Sequence, residues 1–202
     1  MNIFVVDRDP VRAAFDLPDK LVVKMPIESL QLLTPWAFNT HNITIHNPNS
    51  PTGETYGVKG FANHPCSKWL YESPANVWWV LLHGMALCGA YGMRYSKNHG
   101  SYQGLSAILD LVNSRHSDLT WRDHTSFVQA MPVKYKVVDD AVTAYRNYIL
   151  FEKGYAEWNH SQPPTWWDPK LHENVRKQYL MEKEQKRLER RNAKHSRVSS
   201  TV

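Results

Sequence analysis

Between residues 18 and 33 the apolar side chains Val22, Val23, Ile27, Leu30 and Leu33 recur at helical spacing, which places them along one face of an α-helix. Pro26 falls inside that run and is expected to kink the helix or split it, because proline donates no amide hydrogen and its ring crowds the carbonyl four residues earlier. Upstream, residues 2–6 are β-branched or aromatic apart from Asn2, a composition that predicts a short N-terminal strand. Asp9-Pro10 then reads as a helix cap followed by proline at the first helical position, opening a brief helix. Residues 34–63, rich in Asn, Thr, Pro and Gly, alternate in polarity only from His41 to His46, so a long loop with at most one hairpin is expected there.

Asn63-His64-Pro65 and Ser73-Pro74 repeat the cap-plus-proline signature and predict a short helix to about Glu72 and a long one from Pro74 to about Tyr95. The long one is apolar on most sides (Val77, Trp78, Leu81, Leu82, Met85, Leu87, Cys88, Tyr91), which marks it as the central core helix. Arg94 and Lys97 near its end suit the negative pole of a helix dipole. Further helices are expected over residues 102–113 and, capped by Asp139, over residues 139–158. From Leu171 onward the chain is helix-forming but polar almost all round, with Glu173/Lys177 and Glu182/Lys186 at supportive spacing. The pattern is therefore mainly α: a single helical domain over residues 1–169 with a short N-terminal strand and a long loop, followed by a basic tail over residues 170–202 that is helical or disordered. No internal repeat interrupts it.

A chain of 202 residues, 42% of them hydrophobic, buries one sizeable core and does not need a second. No run of about 18 uncharged apolar residues exists, and the opening segment Met1–Asp7 has neither a basic region nor a cleavable apolar one. No membrane span or signal peptide is expected, and a cytoplasmic location is. Cys66 and Cys88 lack a paired spacing and read as reduced, half-buried or core thiols. The charge is informative only when divided along the chain. Residues 170–202 hold ten Lys/Arg and four Asp/Glu, leaving 14 basic and 15 acidic groups in the remainder. A tail of that sign attracts polyanions or simply keeps the protein solvated.

Ten histidines invite a metal reading, but none of the spacings His41/His46, His64/His83, His116/His124 or His160/His172 gives two ligands on one helical face, and no cysteine pair assists. No metal site is expected. There is no glycine-rich phosphate loop and no nucleophile elbow; Gly84, Gly89 and Gly92 lie inside the central helix, where they allow close packing. Two features remain. Glu28 is a carboxylate in an otherwise apolar helical stretch with Lys24 one turn before it, readable as a surface ion pair or as a catalytic acid. Gln162–Pro169, with adjacent Trp166 and Trp167 flanked by prolines, is readable as a base-stacking wedge or as the clasp that docks the C-terminal segment on the core.

The order of these features resembles the phage pyrimidine-dimer DNA glycosylase/AP lyase family, the UV endonucleases of endonuclease V type. The segment from Asp19 through Glu28 is similar to that family's first long helix, with Glu28 in the catalytic position. His64-Pro65 through Tyr95 is similar to its central helices, and Pro164-Thr165-Trp166-Trp167 to its C-terminal aromatic segment. The whole sequence also resembles phage-encoded proteins, which implies a bacteriophage source. The resemblance implies an all-helical fold, no cofactor, double-stranded DNA as partner, and a nucleophile that is the N-terminal α-amine, of Met1 or, once Met1 is removed, of Asn2. That amine has a pKa near 7.7–8.0, so a useful fraction is neutral at pH 7, where a lysine near 10.4 has almost none. It would attack C1′ of the damaged nucleotide and expel the base, with Glu28 as the acid/base that promotes strand cleavage by β-elimination. Lys24 is a substitute nucleophile if burial depresses its pKa. Lys134, Lys136, Arg146, Trp166, Trp167 and the tail are candidate DNA contacts. Departing from the family's arginine-rich surround, Ile27 and Gln31 flank Glu28 as neutral residues.

A competing reading is a non-enzymatic phage accessory protein that binds nucleic acid or a host protein through its tail and Trp166/Trp167. A third is a small-molecule or nucleotide-modifying enzyme that uses the histidine-containing loop.

Overall fold

The computed structural model describes residues 2–59, 61–115 and 120–199, with side chains to residue 193. Its helices are α1 (Pro10–Phe15), α2 (Asp19–His41), α3 (Pro65–Leu70), α4 (Pro74–Tyr95), α5 (Tyr102–Arg115), α6 (Ala141–Glu152) and α7 (Pro169–Ser199), with 3-10 turns at Trp121–Asp123 and Val133–Tyr135. The molecule is mainly α. As its apolar circumference requires, α4 is the central helix, packed against α1, α2, α3 and α5. Trp79, Val80, Leu81 and Leu87 of α4 are fully buried against Leu21, Val22, Met25 and Leu33 of α2.

The cap-plus-proline signals form the expected helix starts. Asp9 accepts from the Val11 and Arg12 amides, His64 Nδ1 from Cys66, and Ser73 Oγ from Ala75, each supplying an oxygen or ring nitrogen to an amide that has no partner within its helix.

Three expectations change. The N-terminal strand does not form: residues 2–6 are buried but unpaired, and among the described residues the only β pairing is an isolated antiparallel bridge between His46 and Thr55. Strand formation needs a neighbour's ladder, whereas here the Ile3 amide is taken by Asn2 Oδ1 and the Val6 amide turns back to Phe4 O at 2.8 Å. Phe4 itself sits at φ +41°, a conformation L side chains disfavour. Its ring, stacked on Tyr148 at 6.1 Å and tilted against Tyr145 at 6.0 Å, holds it there.

Pro26 does not split α2, and Pro35 does not end it; the helix runs 23 residues to His41, so the loop begins at residue 42 rather than 34. Each internal proline costs about 3 kcal/mol. Burial of Met25, Pro26, Leu30, Leu33, Trp36 and Ala37 on that stretch offsets it, at roughly 1.5–3 kcal/mol for each large apolar side chain. Asn42, at φ 55° and ψ 38°, stops the helix in the left-handed conformation that asparagine tolerates. Within the loop, Tyr56 N–H bonds Ile45 O at 2.8 Å and Asn47 N–H bonds Glu54 O at 3.0 Å, the small hairpin that the alternation allowed.

At the C-terminal side, α6 is capped by Asp140 rather than Asp139 and ends at Glu152, while α7 continues as helix to Ser199. The first turns of α7 are anchored: His172 Nδ1 meets Leu150 O at 2.8 Å, and Arg176 bonds Gly154 O and pairs with Glu157. Among the described residues no helix is long and apolar enough to cross a membrane.

Candidate active site

Helical spacing puts Lys20, Lys24 and Glu28 on successive turns of one face of α2. That face is covered at its far end by the buried start of the chain. Glu28 is only 7% exposed. Its Oε2 accepts the Asn2 backbone N–H at 3.1 Å and its Oε1 pairs with Lys24 Nζ at 2.7 Å. The carboxylate is thus neither a surface group nor a buried orphan: one oxygen faces the chain start and the other faces a lysine whose side chain is 62% exposed.

Asn2 is fixed from the other side. Its Nδ2 donates to Ala130 O at 2.8 Å, and its Oδ1 accepts from Ile3 N–H. Ala130 is in turn positioned through Tyr145, whose hydroxyl accepts from Ala130 N–H at 3.3 Å and donates to Val128 O at 3.0 Å. The anchored segment continues to Val6, whose carbonyl accepts from Arg146 Nε at 2.8 Å. The chain start is consequently held at both ends against the Glu28 carboxylate. Behind it lies Cys66 of α3, whose thiol is pushed up to about 12 by burial and also feels the Glu28 charge. A thiol so raised stays protonated and is no nucleophile. Tyr155 feels the same charge: burial first, then Tyr148 and Glu28, raise its phenol above the ordinary value.

A family model described as Pyrimidine dimer DNA glycosylase matches residues 1–103. The chain belongs to this family. The matched part spans α1 to α4 and the start of α5, and so contains Asn2, Lys24, Glu28 and Cys66. No curated protein and no solved structure matches the chain. Membership in the pyrimidine dimer DNA glycosylases gives the chain a glycosylase-type function on DNA in general terms.

Of the candidate residues in this family member, the structure brings Asn2, Lys24 and Glu28 together, while Met1 lies outside the described residues. Burial, the condition under which Lys24 would serve as nucleophile, is not met. The candidate DNA contacts all fall beyond the matched residues. Lys134 and Lys136 are exposed, with Lys134 Nζ 3.3 Å from Glu152. Arg146 holds the Val6 carbonyl and lies 5.7 Å over the Trp166 ring. Trp166 and Trp167 are half-buried on the core: Trp166 Nε1 donates to Asp16 Oδ2 at 3.0 Å, and Trp167 packs on Trp158 and His172, each at 4.6 Å. Asp16 is raised above the ordinary carboxylate range, chiefly by burial and against the pull of that Trp166 bond.

Residue-type reasoning missed the anchoring role of the Asn2 side chain, and it missed Tyr155 and Ala130. No local signal could have named the last two, since they lie more than 100 residues from Glu28 in sequence.

Proposed function

We propose that this chain is a DNA glycosylase with associated lyase chemistry on double-stranded DNA bearing damaged or modified pyrimidines, with the amine at the chain start as nucleophile and Glu28 as its acid/base. One observation carries the reading: the Asn2 backbone nitrogen lies 3.1 Å from a buried carboxylate. Removal of Met1 would turn that nitrogen into a primary amine in the same place; with Met1 kept, the amine is one residue earlier in the chain. Either amine is intrinsically less basic than a lysine, so more of it is neutral at pH 7.

The neutral amine attacks C1′ as the glycosidic bond breaks, and the base leaves with the electron pair and takes a proton. Opening of the sugar ring gives a Schiff base between the nitrogen and C1′. A base then removes a proton from C2′, and the 3′ phosphate departs by β-elimination. Glu28, within reach of the nitrogen, is placed to deliver the proton that opens the ring and to accept the one from C2′. The neutral surroundings at Ile27 and Gln31 leave phosphate contacts to residues further from the carboxylate. The domain that performs the chemistry is residues 1–169.

Borohydride reduction in the presence of an abasic-site duplex tests the mechanism. A covalent adduct is expected with the wild type and is lost when the terminal amine is blocked by reductive methylation at neutral pH. Intact mass identifies which residue carries that amine. Absence of any adduct with the wild type would overturn the assignment.

A further inference from the structure

Past Tyr179, α7 is exposed on every side through residue 193, and the face that docked its first turns changes character. His172, Arg176 and Tyr179, at helical spacing, dock on the segment after α6. Continuing the same three- and four-residue steps gives Lys183, Lys186 or Arg187, and Arg190. These side chains, together with Lys20 of α2, line a groove of about 810 Å³. We propose that this groove binds the phosphate backbone of the double-stranded DNA flanking the lesion, a site that rests on reading the chain as a DNA glycosylase.

Three physical points support it. Five cations (Lys20, Lys183, Lys186, Arg187 and Arg190) and two carboxylates, Glu182 and Glu184, line the groove. The Arg187–Glu184 pair, at 3.3 Å, is exposed on both sides, and such pairs are worth at most about 1 kcal/mol. Turning lysines and arginines toward another lysine raises the positive potential there, and a polyanion relieves it. Second, the cationic surplus of the chain lies in residues 170–202, ten Lys/Arg against four Asp/Glu, while the remainder holds 14 against 15, so the attraction for a polyanion is strongest along α7. Third, the groove leads to the carboxylate. Lys20, Lys24 and Glu28 follow one another on α2, and the eight residues from Lys20 to Glu28 span about 12 Å, the axial rise of roughly three to four base pairs. From Tyr179 to Arg190, α7 adds about 16 Å, enough to follow one strand for roughly five phosphates. Lys20 itself is steadied over the Tyr155 and Tyr179 rings at 4.6 and 5.9 Å.

The test compares two full-length variants of equal charge loss: Lys183→Gln/Arg190→Gln in the groove, and Lys170→Gln/Lys177→Gln on the opposite side of the same helix. Binding of a labelled, undamaged 30-base-pair duplex is titrated at several salt concentrations, with circular dichroism confirming that both variants keep the wild-type helix content. The groove variant is expected to show a log K against log salt slope shallower by about 1.8, two contacts at about 0.9 each, and the outer variant one shallower by less than about 1. Equal changes in the two, or none in the groove variant, would overturn the proposal. Borohydride trapping on an abasic duplex at low salt keeps the two readings apart. A wild type that fails to trap removes the glycosylase mechanism while the slopes still judge the groove.

Discussion

Glu28→Gln preserves the size of the side chain and leaves an oxygen able to accept the Asn2 N–H, but removes the charge that pairs with Lys24. Its fold should survive with a stability change of about 1 kcal/mol or less, and the borohydride adduct should form at least about 10²-fold more slowly, the lower range for loss of a general acid–base. A second buried group has no such chemistry. His83 of α4 is 1% exposed, stacked on Trp79 at 4.9 Å, and burial lowers it from 6.5 to about 3. Between those values the unfolded chain binds a proton that the folded one does not, so stability falls as pH falls below 6.5. By pH 5 this group alone should have cost about 2 kcal/mol relative to neutral pH. Urea unfolding at pH 7.5 and 5.0 measures it, and His83→Phe should reduce the pH dependence by that amount. Glu28 could be picked out of the sequence because a carboxylate inside an apolar helical run needs a reason to be there. Its depth could not, because the cover comes from Asn2, which is held over the carboxylate by Ala130 and, through it, by Tyr145.

Gly154, between α6 and α7, shows what docks the last helix. A Cβ there would lie 2.3 Å from Tyr179 Cβ and 2.8 Å from Val175 O, so Gly154→Ala forces the backbone of α7 to move. The expected cost is about 1–3 kcal/mol, seen as a lower melting temperature and faster protease cleavage between residues 153 and 168 in the variant. The elements themselves were legible in the sequence where a short polar cap meets a proline: α1, α3 and α4 start at the residues that Asp9-Pro10, His64-Pro65 and Ser73-Pro74 mark. They were illegible where tertiary burial overrides local preference. Nothing near Pro26 or Pro35 announces that their turns will be sealed against α4, and the Asn and Thr content that reads as loop after Leu33 belongs to the end of a buried helix and its Asn42 cap. Asp139 and Asp140 are equivalent as text; the backbone chooses Asp140 to cap α6 and leaves Asp139 at φ 57°.

For the molecule as a whole, a buried ion pair inside the family-matched half holds the carboxylate on which the remainder of the chain docks. Arg94, in the last turn of α4 with a side chain 3% exposed, donates to Phe15 O at 2.7 Å, Leu17 O at 2.8 Å and Asp19 Oδ1 at 3.0 Å. Asp19 Oδ2 accepts the Asn159 and His160 amides at 2.7 and 3.3 Å. Burial pushes the Arg94 guanidinium below its ordinary pKa and Asp19 beside it pulls back. The α1–α2 junction, the end of α4 and the tryptophan-rich segment before α7 therefore meet at one carboxylate, and α2 carries Glu28 two turns further on. Replacing one partner strands the other without water, so Arg94→Met should cost about 3–5 kcal/mol. Asp19→Asn keeps an acceptor for the two amides and should cost less. In a double-mutant cycle the combined variant should be more stable than the sum of the single losses by at least about 0.5 kcal/mol, the lower end of coupling between residues in contact. Simple additivity in urea unfolding would mean that each side chain is held by its backbone partners alone, and that the two parts of the chain are joined by their other contacts, such as Asn2 to Ala130 O, Arg146 to Val6 O and Trp166 to Asp16, rather than through this pair.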